Sequence, residues 1–224
     1  MSIFREIVNL WKSEDLLSQA WDESYKMMML SNEMFTQAIK YLREGENDET
    51  IRMLKKRDVE INTFQRDVRK KVVTHYAISQ DIEDLPNGLV LLNMVVDVER
   101  VGDYTKNILD LALNHPNIIK SEEFSEDLYH VEQEVISRFS KTLEAIHTQD
   151  ADVARSMMVS YKETLTSVLD DIVNGCISGE ITLGDESKTV SLALYARYLK
   201  RIGAHLKNIT TVLINPFDAV GYKQ

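Results

Sequence analysis

The stretch VERVGDYTKNIL, residues 98–109, places two carboxylates, Glu99 and Asp103, four positions apart with Gly102 between them. On a helix these side chains share one face, so the two negative charges repel each other. A glycine inside a helix also costs about 1 kcal/mol relative to alanine. A helix that contains this stretch therefore needs an interaction that offsets the repulsion between the carboxylates and a packing constraint that explains the glycine.

A related stretch, LKRIGAHLKNIT, occupies residues 199–210. Two such stretches in one chain indicate two copies of a single structural unit. A glycine kept in both copies is explained if a neighbouring helix approaches closely, because glycine has no Cβ. The identical positions are Arg100, Gly102, Lys106, Asn107 and Ile108, which recur as Arg201, Gly203, Lys207, Asn208 and Ile209.

Apolar residues recur at three- and four-residue steps around both stretches, which predicts long helices. The first of these helical stripes runs from Leu17 to Leu42 and stops at EGENDE, residues 44–49. Ser121 and Asp150 are typical helix caps that open elements in the second half. The predicted helices span residues 17–42, 51–72, 86–113, 121–147, 150–175 and 187–215.

These helices predict an all-α fold of two tandem three-helix bundles related by an internal repeat. Eight glycines and three prolines in 224 residues support few, long elements, because little turn chemistry is present. The predicted domains are the first bundle at 14–116 and the second at 117–214, with a C-terminal tail at 215–224. The bundles are predicted to join near residues 115–121.

An amphipathic segment, residues 1–13, precedes the first bundle. Its apolar side chains fall on one helical face, which is consistent with packing on its own bundle, on a membrane surface or on a partner. These side chains are Ile3, Phe4, Ile7, Val8 and Trp11.

Composition narrows the possible functions. The chain has 26 basic and 36 acidic residues and a net charge of −10, which weighs against binding to nucleic acid phosphates. A single cysteine, Cys176, excludes an intramolecular disulfide framework. With no secretory signal and no apolar run long enough to span a membrane, we expect a soluble, cytoplasmic protein.

The motif ERVGDYTKNI, residues 99–108, closely resembles the ERIGD…NI signature of the PhoU family, regulators of bacterial phosphate uptake and signalling. RDVEINTFQ, residues 57–65, is similar to the pattern of the family's second helix. The resemblance spans nearly the whole chain, because the family consists of two three-helix bundles in tandem. It implies a regulator at the inner face of the membrane that binds a phosphate transporter, its ATPase or a sensor histidine kinase, and it is compatible with a homodimer.

Carboxylates gathered between helices also suggest a metal site, since oxygen ligands hold hard or borderline cations and a cation would cancel their repulsion. The resemblance implies that Glu99 and Asp103, with Asp58 and Asn62 of the second helix, form one weak site for a divalent or iron-type ion. The alternative is that Glu99 and Asp103 pair with Arg100, Lys106 or a lysine from another helix.

The chain departs from the family's ligand pattern at several positions. Gln65 and Arg69 stand where the resemblance implies a glutamate and an aspartate. In the second half Lys200 replaces the glutamate and Ala204 the aspartate. A lysine repels a cation, so the second site is predicted to be lost.

An enzyme is the second functional hypothesis, in the form of a carboxylate bundle whose bound metal supports hydrolytic or redox chemistry. Glu144 and His147 match the Glu-x-x-His element of di-iron bundles, but such sites need a second pair and two further glutamates. The sequence contains no complete catalytic constellation. We therefore predict a regulator without enzymatic activity.

Overall fold

The computed structural model describes residues 16–79, 83–114, 125–148, 150–160, 166–215 and 217–221. The described residues form helices and turns without a strand, which confirms the all-α prediction. The helices are α1 Leu16–Glu44, α2 Asp48–Lys56, α3 Asp58–Ser79, α4 Leu85–Asn114, α5 Ser125–Thr148, α6 Ala151–Ser160, α7 Ser167–Ser178 and α8 Glu186–Thr211, followed by a 3-10 helix, Phe217–Ala219.

Helix α1 packs against α3 and α4 through the apolar stripe that the sequence predicts. The stripe recurs every three to four residues, so it forms one continuous face that only neighbouring helices can cover. All ten predicted stripe residues are buried: Leu17, Ala20, Trp21, Met27, Met28, Met34, Phe35, Ala38, Ile39 and Leu42.

The second predicted helix is not continuous, and this expectation was wrong. A turn at Arg57 separates α2 from α3, and the Arg57 N–H donates to the Leu54 carbonyl at 3.1 Å, three residues back. The Arg57 side chain pairs with Glu33 of α1 at 2.7 Å and with Glu60 of α3 at 3.0 Å. The contact with Glu33 is tertiary, so local helix propensity does not predict the break beside it.

Aspartate side chains cap two helices of the second half, α6 and α8. Asp150 Oδ1 accepts hydrogen bonds from the N–H groups of Asp152 and Val153 at 2.8 and 3.1 Å, which confirms the predicted cap of the fifth helix. Asp185 Oδ1 accepts from the Ser187 N–H at 2.8 Å and begins α8. The predicted cap at Ser121, the junction at 115–121 and the amphipathic segment 1–13 lie outside the described residues.

The two bundles share one hydrophobic core. Helix α4 packs against α8, and α1 packs against α5, so the apolar cluster is continuous across both halves. Phe35 of the first half and Phe139 of the second have ring centroids 6.0 Å apart within it. The tandem units of the repeat are therefore joined side by side through apolar packing.

The C-terminal tail returns to α8. The Gly221 N–H donates to Thr211 Oγ1 at 2.6 Å, and Asn215 Nδ2 donates to the Ala219 carbonyl at 2.8 Å.

Within the described ranges, no helix is both long enough and apolar enough to cross a bilayer.

Candidate functional site

The predicted ligand residues lie where the start of α3 meets the middle of α4. Asp58 is the first residue of α3 and is buried, and Asn62 Nδ2, one turn later, donates to Asp58 Oδ2 at 2.9 Å. Gly102 of α4 faces this turn, and a Cβ on it would lie 3.1 Å from Ile61 Cδ1 and 3.5 Å from Asp58 Oδ1. The close helix approach expected from the glycine is therefore confirmed.

Lys106 of α4 connects the carboxylates of the two helices. Its Nζ donates to Asp58 Oδ2 at 2.9 Å and lies 2.9 Å from Asp103 Oδ1. Burial lowers the pKa of Lys106, but its hydrogen bonds to the two carboxylates outweigh that effect, so the pKa is raised overall. Lys106 therefore remains an ammonium at physiological pH.

Arg100 supplies a second positive charge to the same face of α4. Its Nη1 donates to Asp103 Oδ2 at 3.1 Å, and its Nε lies 3.7 Å from Glu99 Oε2. Together with the Lys106–Asp103 contact, these are ion pairs of the kind that the alternative to a metal site describes. Burial and, next, the negative charge of Asp103 raise the pKa of Glu99 more than the positive charges of Arg100 and Lys106 lower it.

The cluster does not fit a metal ion while Lys106 keeps its position. Its ammonium lies between Asp58 and Asp103, which are two of the four predicted ligands. Asp58 Oδ1 is a buried oxygen without a hydrogen-bond partner, but across the described ranges no group of three or more histidine, cysteine or acidic side chains is arranged to hold a metal ion. The metal site at Glu99, Asp103, Asp58 and Asn62 stays a prediction.

Neither Gln65 nor Arg69 adds an acidic group to this cluster. Gln65 Nε2 donates to the Val95 carbonyl at 3.4 Å, and Arg69 is exposed. Gln65 therefore contacts α4, and Arg69 lies on the exposed surface of α3.

The second half contains a carboxylate–lysine pair in the corresponding groove. Lys200 of α8 takes the place of Glu99 in the repeat, and its Nζ donates to both oxygens of Asp170 on α7 at 2.5 and 2.6 Å. Lysine ammonium groups thus meet aspartates between the second and third helices of both halves.

A polar network between α4 and α8 was missed by the sequence reasoning. His205 Nδ1 lies 2.7 Å from Asp97 Oδ1, and Asn208 Nδ2 donates to the same oxygen at 3.2 Å. Arg201 Nε donates to the Tyr104 hydroxyl at 3.2 Å. Asp97 directly precedes the first repeated stretch, and His205 lies within the second. Polar residues on the apolar faces of these two helices were the sequence signal that could have indicated the network.

A second missed cluster joins three helices around Glu132 of α5, which is 1% exposed. Arg43 of α1 donates to Glu132 from Nε at 2.8 Å and from Nη2 at 2.6 Å, and the Tyr195 hydroxyl of α8 donates at 2.6 Å. Burial raises the pKa of Glu132 more than these donors lower it. Because Arg43 belongs to the first half and the other two residues to the second, the cluster links the halves.

An apolar groove of about 540 Å³ lies between α7 and α8. The side chains of Ile177 and Val190 in this groove are exposed. Burial raises the pKa of the Cys176 thiol, so the thiol stays protonated and neutral. The lining residues include Val173, Cys176, Ile177, Val190, Leu194 and Arg197.

The Glu-x-x-His element on α5 has a packing contact in the structure. The His147 imidazole stacks on Tyr25 of α1, with ring centroids 5.3 Å apart. This contact places His147 at the boundary between the two halves.

Curated proteins with related sequences are phosphate transport accessory proteins. The chain is 24% identical over 201 residues to the phosphate-specific transport system accessory protein PhoU homolog of Clostridium acetobutylicum, a match that covers 88% of this chain and 90% of that protein. It is 26% identical over 162 residues to the PhoU homolog of Pseudomonas putida, covering 70% of this chain and 62% of that protein.

Solved structures share the fold. PhoU from Pseudomonas aeruginosa matches with a TM-score of 0.75 and 21% identity, covering 89% of this chain and 95% of that one. The phosphate transport system regulatory protein PhoU from Streptococcus pneumoniae matches with a TM-score of 0.69 and 17% identity, covering 88% and 93%.

The family model decides the assignment, because it matches both halves of the repeat. The PhoU domain model matches twice, at residues 25–112 and 128–213, so that α4 with Gly102 falls in the first match and α8 with Gly203 in the second. Together the two matches span most of the chain. The protein belongs to the PhoU family.

Proposed function

We propose that this protein regulates phosphate uptake and phosphate-responsive signalling by binding a membrane phosphate transporter, its ATPase or a sensor histidine kinase, without turning over a substrate. The observation that supports the proposal most directly is the PhoU domain match in both halves. The names of the relatives, accessory and regulatory proteins of phosphate transport systems, agree with it.

The architecture suits a regulator. One continuous core fixes the long helices relative to each other, so the molecule presents large, preformed faces to a partner. A regulator shifts its partner's equilibrium only by the difference between its affinities for the partner's two states. A difference of about 1.4 kcal/mol changes the state ratio tenfold, so the regulator needs no chemistry of its own.

Charge favours attachment through a protein rather than through lipid. The chain carries a net charge of −10, and the cytoplasmic leaflet has a negative surface potential, so the two repel each other. A peripheral position at the inner face of the membrane would then depend on contacts with the transporter or kinase. This mode of attachment is part of the proposal, as is the cytoplasmic location.

The alternative function, a metal-binding carboxylate bundle with hydrolytic or redox activity, has weaker support. In the two helix grooves compared above, Lys106 and Lys200 already pair with the aspartates. Such an enzyme would have to displace at least one of these lysines to bind its metal.

Reconstitution tests the proposed function. The phosphate transport complex of the source organism, placed in proteoliposomes, should change its rate of ATP-driven phosphate uptake when the purified protein is added at the ATPase face. The same protein denatured by heat is the control. An unchanged uptake rate, together with an unchanged autophosphorylation rate of the cognate sensor kinase, would contradict the proposal.

A further inference from the structure

In each of two helix grooves, between α3 and α4 and between α7 and α8, a lysine pairs with an aspartate of the facing helix. Lys106 belongs to α4 and lies three residues after Asp103, yet it reaches across to Asp58 on α3 at 2.9 Å. Lys200 on α8 reaches Asp170 on α7 at 2.5 Å. Both lysine side chains are about three-quarters buried, with exposures of 26% and 22%.

Charge balance in the first groove leaves little attraction for a metal ion. Three carboxylates, Asp58, Glu99 and Asp103, face two cations, Lys106 and Arg100. A divalent ion entering between Asp58 and Asp103 would meet the lysine ammonium at a few ångströms, where repulsion is strong even at the dielectric of a protein surface.

Covalent attachment gives the lysine a further advantage over a free ion. The ammonium is carried on the same helix as Asp103, so it competes with solution ions at a high effective concentration. Lysine also donates hydrogen bonds, which suits the aspartate oxygens that it contacts.

We propose that Lys106 is a built-in counter-ion that replaces a metal ion in the first half of this chain. The groove between α3 and α4 is then closed to metal in the native protein. Removing the Lys106 charge opens it, and leaves Asp58, Asn62, Glu99 and Asp103 as oxygen ligands. The inference is independent of the transporter or kinase that the protein binds.

Manganese is the suitable probe, because oxygen ligands favour it and its electron paramagnetic resonance signal distinguishes free from bound ion. The test compares the native protein with Lys106→Gln. Lys71→Gln is the matched control, since Lys71 pairs with Glu23 at 2.8 Å on α1 and both side chains are 23% exposed. Lys106→Arg keeps the positive charge and controls for the loss of the lysine side chain.

The proposal predicts that the native protein, Lys71→Gln and Lys106→Arg bind no stoichiometric Mn²⁺. Lys106→Gln should bind one Mn²⁺ ion. Its affinity for that ion should be at least about tenfold higher than the native protein's, because a repelling unit charge has been removed. Without metal its Tm should fall by about 2–4 °C, the effect of losing one partly buried ion pair in a chain of this size. Added Mn²⁺ should restore the Tm of this variant alone.

Two results would overturn the proposal itself, and a third would contradict the placement of the ion. One is a stoichiometric metal ion in native protein purified without chelator, lost in Glu99→Gln and Asp103→Asn. The other is a folded Lys106→Gln variant, verified by its helical circular dichroism, that binds Mn²⁺ no better than the native protein. The double variant Lys106→Gln/Asp103→Asn locates the ion: retained binding would also contradict the assignment.

Discussion

At the scale of single residues, Glu132 shows how a buried charge is stabilised across helices. Its carboxylate is satisfied by Arg43 and Tyr195, and removing it leaves a partly buried guanidinium and a buried hydroxyl without their acceptor. Breaking one side of such a pair costs about 3–5 kcal/mol. Glu132→Ala should lower the free energy of unfolding by about that amount in urea denaturation. A loss below about 1 kcal/mol would mean that the cluster behaves as an exposed ion pair.

Glu99 leads to a prediction about pH, because burial and the neighbouring Asp103 both disfavour its ionised form. Burial and Asp103 raise its pKa above the ordinary value of 4.5, so the folded protein binds this proton more readily than the unfolded chain. The contribution of Glu99 to stability therefore falls as the pH rises from below 4.5 through the raised pKa. Glu99→Gln should have the native Tm at acid pH and a higher Tm at pH 7. The corresponding gain in the free energy of unfolding at pH 7 should be less than about 1 kcal/mol. Thermal melts across that range check this, and a lower Tm for Glu99→Gln at neutral pH would contradict it.

At the scale of helices, the approach of α3 to α4 is controlled by Gly102 and Ile61. Alanine is favoured over glycine in a helix by about 1 kcal/mol, but its Cβ would meet Ile61 Cδ1 at 3.1 Å. Ile61→Val removes that methyl group, after which the nearest atom is Asp58 Oδ1 at 3.5 Å, an ordinary contact. Gly102→Ala should therefore be neutral or destabilising in the native protein and stabilising by about 1 kcal/mol in the Ile61→Val background. Equal effects in both backgrounds, measured by chemical denaturation, would show that Ile61 does not limit the approach.

The same elements show what the sequence could and could not predict. The stripe of α1 was predictable because its 3.6-residue period follows from local geometry alone. The break at Arg57 was not, because Arg57 pairs there with Glu33 on another helix, a tertiary contact that the local pattern does not contain. Lys106 was identifiable as a possible partner of Asp103 on its own helix, three residues away. Its contact with Asp58 depends on the register of α3 against α4, and the Asp97–His205 pair depends on the packing of α4 against α8.

At the scale of the whole molecule, the continuous core and the cross-half clusters predict cooperative unfolding. Asp97 with His205 and Arg43 with Glu132 connect the halves, and the apolar cluster is uninterrupted between them. Differential scanning calorimetry should give one transition whose calorimetric and van't Hoff enthalpies agree. Two resolved transitions, one for each half, would mean that the bundles are thermodynamically independent.

The central claim, that this PhoU-family chain regulates phosphate uptake and signalling without turnover of its own, is tested most directly in its source organism. The measurement is the rate of radiolabelled phosphate uptake, together with phosphate-responsive transcription, in a deletion strain and in the same strain carrying the gene. Deletion should change uptake or transcription in phosphate-rich medium, and the reintroduced gene should restore both. Unchanged phosphate physiology after deletion, together with a metal-dependent turnover by the purified protein that Glu99→Ala abolishes, would contradict the account.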